Sequence, residues 1–347
     1  MAVTLADVAK QAGVSVATVS RVLNNKMVMP ISEATIARIR DAATELGYRA
    51  NPVARALATG RTNALGLFSD EITDPHFAQM LEAVEERATA LGYQLLVSAS
   101  LRSLLENSRT DGTILLGLPG SFPDLEVTTR PVVYVNNAHT PMPHLIAWDD
   151  AQGMRQVIEY LAELGHTQIA ALWCYGEPFP QVSRKVEGFR SATSALGLKT
   201  IECWDKVSPH RSEFAAQFED GYHAVKRLLD AGTPFTAIVA RNDFLALGAL
   251  RALREVRIQV PEEVSVVGYT DSVHAVCADP PLTSVRTPIA EAGVMAVDQL
   301  VAAIIAPDQR FDNSFLPTSL IVRDSTGFAK QASQNRLRQE EVIVAAY

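Results

Sequence analysis

Arg21 carries the most specific chemistry near the N-terminus: a planar, permanently charged guanidinium whose paired N–H donors match O6 and N7 on the major-groove edge of guanine. Ala17, Ser20 and Asn24 fall on the same side at three- and four-residue spacing, so a helix through them would present one small, polar face. Thr4, Ser15, Thr18 and Ser32 add short hydroxyls suited to phosphate oxygens. Capping a helix is an equally available use of Thr4 and Ser15. The charge distribution favours the same partner. The 347-residue chain has a net charge of −8, yet residues 1–61 carry eight Lys/Arg against four Asp/Glu, so this stretch is +4 and the rest is −12.

The elements that must hold these residues can be read from their punctuation. Thr4 is a natural N-cap with Asp7 three residues on, and Leu5, Val8, Ala9 and Ala12 form one apolar face before Gly13. Ser15 opens a second helix, with Val16, Val19 and Leu23 expected inward, up to Asn24-Asn25. A third runs from about Ser32 to Leu46, with Ile36, Ile39, Ala43 and Leu46 inward and Gly47 as its stop. Asn51-Pro52 then gives an N-cap and a proline at the first helical position, starting a short segment over 53–58. A helix below about 12 residues is marginal alone and needs something to pack against.

From residue 62 short apolar runs alternate with helical patterns, which predicts parallel sheets covered by helices. Strands are expected at Ala64–Phe68, Gln94–Ser98, Thr113–Leu116, Val132–Val135, Gln168–Trp173, Thr236–Ala240 and Val264–Gly268. Helices are expected at about Phe77–Leu91, Gly153–Leu164, Val182–Leu196, Gly221–Ala231, Phe244–Glu255 and Ile289–Ile305. After about Gly327 the sequence turns polar, as in a loosely attached tail.

The run from Val3 to Asn24 resembles the helix-turn-helix of the LacI/GalR family of repressors. The likeness continues through Glu45-Leu46-Gly47-Tyr48, Asn51-Pro52-Val53-Ala54-Arg55-Ala56-Leu57, Gly165-His166, Ala240-Arg241-Asn242-Asp243 and the stretch from Val260 to Tyr269, covering nearly the whole chain. It implies an α/β protein with an all-α helix-turn-helix head at 1–50, a hinge helix and linker at 51–61, and a two-lobed periplasmic-binding-protein-like sensor with doubly wound parallel sheets at 62–328. The first lobe would comprise about 62–150 and 286–312, the second about 151–285 and 313–328, with a tail at 329–347.

On this resemblance Val16 and Ala17 discriminate operator bases, Leu5, Asn51 and Ala54 join the DNA-contacting set, and Leu57 wedges between central base pairs in the minor groove. A dimer on a near-palindromic operator is implied. In open parallel sheets ligands lie beyond the carboxyl ends of strands, which nominates Asp70, His76, Phe77, Asn242, Thr270 and Asp271 in the cleft between lobes. Phe77 could instead be core, and Asn242-Asp243 could cap the helix at Phe244, with Asp243 the expected cap and Asn242 the expected ligand contact.

Two positions depart from the family. An arginine common in the helix over 182–196 is replaced by Lys185, and an aspartate after the Gly-Tyr pair by Thr270. Lysine lacks the planar fork and threonine the carboxylate, which puts an effector held by that pair in doubt. The connection between Ser98 and Thr113 is also shorter than the family's, trimmed close to the minimum for a parallel crossover.

A sugar or sugar-like small molecule is the expected effector, and no cofactor, metal or catalytic residue is expected. The three cysteines, Cys174, Cys203 and Cys277, have no Cys-x-x-Cys spacing. Walker, His-Glu-x-x-His, nucleophile-elbow and Gly-x-Gly-x-x-Gly motifs are missing. A sugar-binding protein of the export pathway or a sugar-processing enzyme on the same sensor fold is the alternative. The former should carry a signal sequence and the basic head should be absent. With no such signal or membrane span expected, the cytoplasm is the expected location.

Overall fold

The computed structural model describes residues 3–23, 30–48, 60–69, 72, 74–106, 110–117, 130–135, 144–174, 184–205, 214–309 and 311–330. The hinge helix and the tail after Lys330 lie outside them. The chain divides into two compact units, Met1–Thr62 and Asn63–Tyr347.

Among the described residues of the first unit there are three helices: α1 (Leu5–Ala12), α2 (Val16–Leu23) and α3 (Glu33–Glu45). Each start is fixed locally. The Thr4 hydroxyl accepts from the Asp7 N–H while the Asp7 carboxylate accepts from the Thr4 N–H at 2.9 Å, a reciprocal capping box. Ser15 Oγ accepts from Thr18 N at 3.2 Å and Ser32 Oγ from Thr35 N at 3.3 Å. Gly13 ends α1 at φ 67°, a left-handed conformation that suits glycine and turns the chain sharply into α2.

The small core comprises Val8, Ala9, Ala12, Val19, Val22, Ile39, Ala42 and Ala43. It differs from the expected inward set on α2. Val22 is buried and Val16 is 45% exposed, because the tight turn at Gly13 rotates the start of α2 away from α1 and α3.

The second unit holds two six-stranded sheets. Strands β1 (Ala64–Ser69), β2 (Gln94–Ser98), β3 (Gly112–Leu116), β4 (Val132–Val135), β5 (Leu145–Trp148) and β11 (Ser314–Leu316) make the first, in the order β11-β5-β4-β3-β1-β2. All its pairings are parallel. The second runs β12-β10-β9-β8-β6-β7, from β6 (Gln168–Leu172), β7 (Lys199–Cys203), β8 (Ala237–Ala240), β9 (Ser265–Thr270), β10 (Thr283–Arg286) and β12 (Ser319–Ile321). Only β12 in that sheet is antiparallel to its neighbour.

Both sheets therefore reverse strand order at one point, between β1 and β3 in the first and between β6 and β8 in the second. Such a switch point opens a crevice at the carboxyl ends of the strands. The parallel pairings leave helices to cover the faces: α4 (Pro75–Ala90), α5 (Leu101–Glu106) and α11 (Ile289–Ile305) for the first lobe, α6 (Asp150–Glu163), α7 (Arg184–Ala195), α8 (Phe214–Asp230), α9 (Asp243–Glu255) and α10 (Val273–Cys277) for the second. Helices α8 and α9 meet backbone to backbone through Gly221 and Gly248, where a Cβ would strike the main chain of Leu245 and Phe218 respectively.

The boundary expected near 312 falls short, because β11 pairs with β5 and keeps 314–316 in the first lobe. The last crossing comes at Pro317-Thr318. The trimmed stretch after Ser98 still winds into α5, whose Leu101 and Leu104 pack on Phe68 and Leu115. No helix among the described residues is long and apolar enough to cross a membrane.

Candidate functional site

The first candidate surface is the outer side of α2. With Val19 and Val22 buried, Val16, Ala17 and Arg21 are left exposed, and Thr18 and Ser20 are half-buried beside them. Thr4, Ser15 and Ser32 all cap helices, and their residues remain exposed. Leu5 is half-buried against the small core. The arrangement brings a guanidinium, small side chains and hydroxyls to one accessible surface, as a helix entering a groove requires. Asn24, Asn51, Ala54 and Leu57 lie outside the described residues.

The second candidate is the cleft where the carboxyl ends of the two sheets face each other. From the first lobe, Asp74 caps α4 by accepting from His76 N at 2.8 Å, and Pro75 occupies the first helical position. The His76 ring hydrogen-bonds Thr287 Oγ1 at 2.5 Å and packs edge-on against Trp148, 5.7 Å between centroids. Burial, reinforced by the Lys185 charge, lowers the His76 pKa to about 3, so the ring is neutral at physiological pH. Burial also raises the Asp74 carboxyl, and neighbouring Asp243 adds to that rise.

From the second lobe, Lys185 is only 6% exposed. Its ammonium donates to the Arg241 carbonyl at 3.2 Å and lies 3.8 Å from the centre of the Tyr269 ring. Arg241 follows β8 and its Nε donates to the Trp173 carbonyl beyond β6, at 2.5 Å, so Lys185 sits over the switch point of the second sheet. Arg184 projects elsewhere, to Asp149 at 3.3 Å and over the Phe315 ring. Two further buried donors, Trp148 Nε1 and Arg184 Nε, find no acceptor.

Several expected contacts are differently engaged. Phe77 is 3% exposed in the first lobe's core with Leu65, Met80 and Val84, so its ring is closed to ligand. Asn242, not Asp243, caps α9: its Oδ1 accepts from Leu245 N at 3.0 Å and its Nδ2 donates to Gln217. Asp243 is one residue inside the helix, where burial raises its pKa although its carboxylate accepts from Ser272 N, Ser284 Oγ and Thr270 Oγ1. The Thr270 hydroxyl is thereby held within the second lobe. Asp271 is clamped by Arg286 Nε at 2.7 Å and Arg323 Nη2 at 2.5 Å with its side chain 2% exposed, a structural ion pair. Asp70 lies outside the described residues. Trp148 is not among the expected site residues, because no strand is expected over 145–148 to place it at a carboxyl end.

A basic three-helix head with an exposed second helix, joined in one chain to a two-lobed sheet fold with a polar cleft, defines a DNA-binding regulator with a small-molecule sensor. Residues 4–51 match the model for bacterial regulatory proteins of the lacI family, and residues 158–326 match the periplasmic binding protein-like domain. The HTH-type transcriptional regulator DegA of Bacillus subtilis (strain 168) is 31% identical over 342 residues, covering 94% of this chain and 98% of DegA. The lac repressor dimer, solved bound to operator and the anti-inducer ONPF, superposes with a TM-score of 0.81 at 28% identity over 94% of this chain and 100% of its own. The transcriptional regulator CelR, solved with cellobiose, has a TM-score of 0.65 at 30% identity, covering 93% of this chain and 99% of its own. The chain belongs to the LacI family of transcriptional regulators.

Proposed function

We propose that this protein is a repressor that binds a near-palindromic operator as a homodimer and changes its affinity when a sugar-like effector enters the interlobe cleft. The observation that carries the reading is the exposed face of α2, with Val16, Ala17 and Arg21 in solvent above a closed core. Arg21 reads a guanine edge, Ala17 and Val16 meet base edges or a thymine methyl, and the residues of Thr4, Ser15, Thr18 and Ser32 approach phosphates. Leu57 supplies the minor-groove wedge, supported by its place in the Asn51–Leu57 pattern. The protein acts in the cytoplasm and catalyses no reaction.

For the cleft to control the head, effector must bind one arrangement of the lobes better than the other. Binding then shifts the population and, by linkage, operator weakens effector binding to the same degree. Release from DNA is the expected sign. Fluorescence anisotropy on a labelled palindromic operator, with effector titrated in, tests the proposal. An effector that demonstrably binds the sensor while leaving operator affinity constant would falsify the coupling.

A further inference from the structure

Two buried hydrogen-bond donors with spare capacity, Lys185 Nζ and Trp148 Nε1, flank His76. The Lys185 ammonium has three donors and no acceptor, and among the described residues its one hydrogen bond is to the Arg241 carbonyl. Among the described residues no carboxylate pairs with it, although the side chain is nine-tenths buried. A buried cation without an anionic partner is costly. Trp148 Nε1, which can only donate, is buried without an acceptor, and its ring packs on the same His76 that feels the Lys185 charge.

The nearby carboxylates have other partners: Asp149 has Arg184 and Gln152 N, Asp150 has the Tyr269 hydroxyl at 2.7 Å, and Asp243 has Ser272, Ser284 and Thr270. On the other side, burial and the Asp243 charge raise the Asp74 carboxyl, so a second anion would be unfavourable there.

We infer that the effector carries an anionic oxygen group, a carboxylate or phosphate on a hydroxylated carbon frame, and that Lys185 selects that charge. This rests on the proposal that the cleft is the effector site. An oxyanion offers acceptors only, which is what a donor-only set lacks. A neutral hydroxyl can accept from the ammonium but brings no charge to compensate it.

The test is thermal shift and titration calorimetry of the full-length protein with a panel of hexonates, hexuronates, pentose phosphates and hexose phosphates, each beside its neutral parent sugar. At least one acid should raise the melting temperature well above its neutral parent, and the carboxylate and phosphate arms decide between the two oxyanions. Lys185→Met and Lys185→Gln, checked for folding by circular dichroism, should each weaken that acid by about 10- to 100-fold. Lys199→Met, which removes an exposed charge on β7, should leave its affinity unchanged. If no acid in the panel binds, if the neutral parents bind as well as the acids, or if whichever Lys185 variant folds retains full affinity for the acid, the inference is overturned. Operator binding by the ligand-free protein is measured in parallel. Its loss would overturn the regulator reading and leave the ligand class to be decided by the titrations.

Discussion

In the head, the hydroxyls of Thr4, Ser15 and Ser32 are committed to helix starts, and Val16, Ala17 and Arg21 of α2 stand in solvent. In the cleft, Lys185 and Trp148 are buried with donor capacity unused. The two regions thus prepare for their ligands in opposite ways. A surface that meets DNA exchanges water and counterions for phosphates and base edges, so it can be complete without its partner. A buried donor has already lost its water, and it is satisfied only when an acceptor reaches it.

The head and the sensor can be separated by destroying the core of one and keeping the other. Ile39→Ala empties the centre of the head's small core and should cost about 2–5 kcal/mol there, enough to unfold so small a unit. Operator binding should vanish in anisotropy while thermal shift by an effector persists. Loss of both together would mean that the units do not fold independently.

Arg21→Ala probes the readout itself. It should weaken specific binding by about 1–3 kcal/mol and relax one base position, leaving the melting temperature unchanged. A uniform loss across all operator variants would reassign Arg21 to phosphate. Ser32→Ala should cost about 1 kcal/mol of head stability through its cap, seen as an earlier denaturant midpoint for the head. If operator affinity falls much further than stability, the hydroxyl also contacts DNA.

The smallest effect sharpens the cleft side. His76 has a folded pKa of about 3, below its ordinary value of 6.5, so the unfolded chain binds more protons between those values. The neutral ring's contribution to stability is full above about pH 6.5 and is lost as pH falls toward 3. His76→Phe should flatten that part of the acid limb in a melting-temperature profile from pH 7.5 to 4.5; a limb of unchanged slope would mean that the ring is not kept neutral by its surroundings.

The head was legible because its signals are local. Thr4, Gly13, Ser15 and Ser32 mark helix ends through bonds only three or four residues long. Which side of α2 faces inward was less so, since Val16 and Val22 fit helical spacing equally well and the turn at Gly13 decides between them. In the sensor the longer apolar strands announced themselves.

Strand β10 did not, because Thr283 and Ser284 are buried polar residues whose partners, Ser325, Arg323 and Asp243, come from distant parts of the chain. The capping of α9 slipped by one residue because Asn242 and Asp243 are both competent N-caps, and only the burial of Asp243 among Thr270, Ser272 and Ser284 separates them. Phe77 at a helix start looked available for stacking, but the first lobe needed its volume.

The loose attachment of Lys185 has a consequence for how such a protein can change over generations. Asp271 is woven into two ion pairs, so its replacement would strand two arginines and strain the lobe. Lys185 is tied to its surroundings by one carbonyl and one ring face, and substituting it by a neutral side chain relieves an uncompensated buried charge. On the proposal that Lys185 selects the effector's charge, a single codon there alters which metabolite the protein hears while the fold stays intact, so a descendant lineage can acquire a new signal before it acquires a new operator.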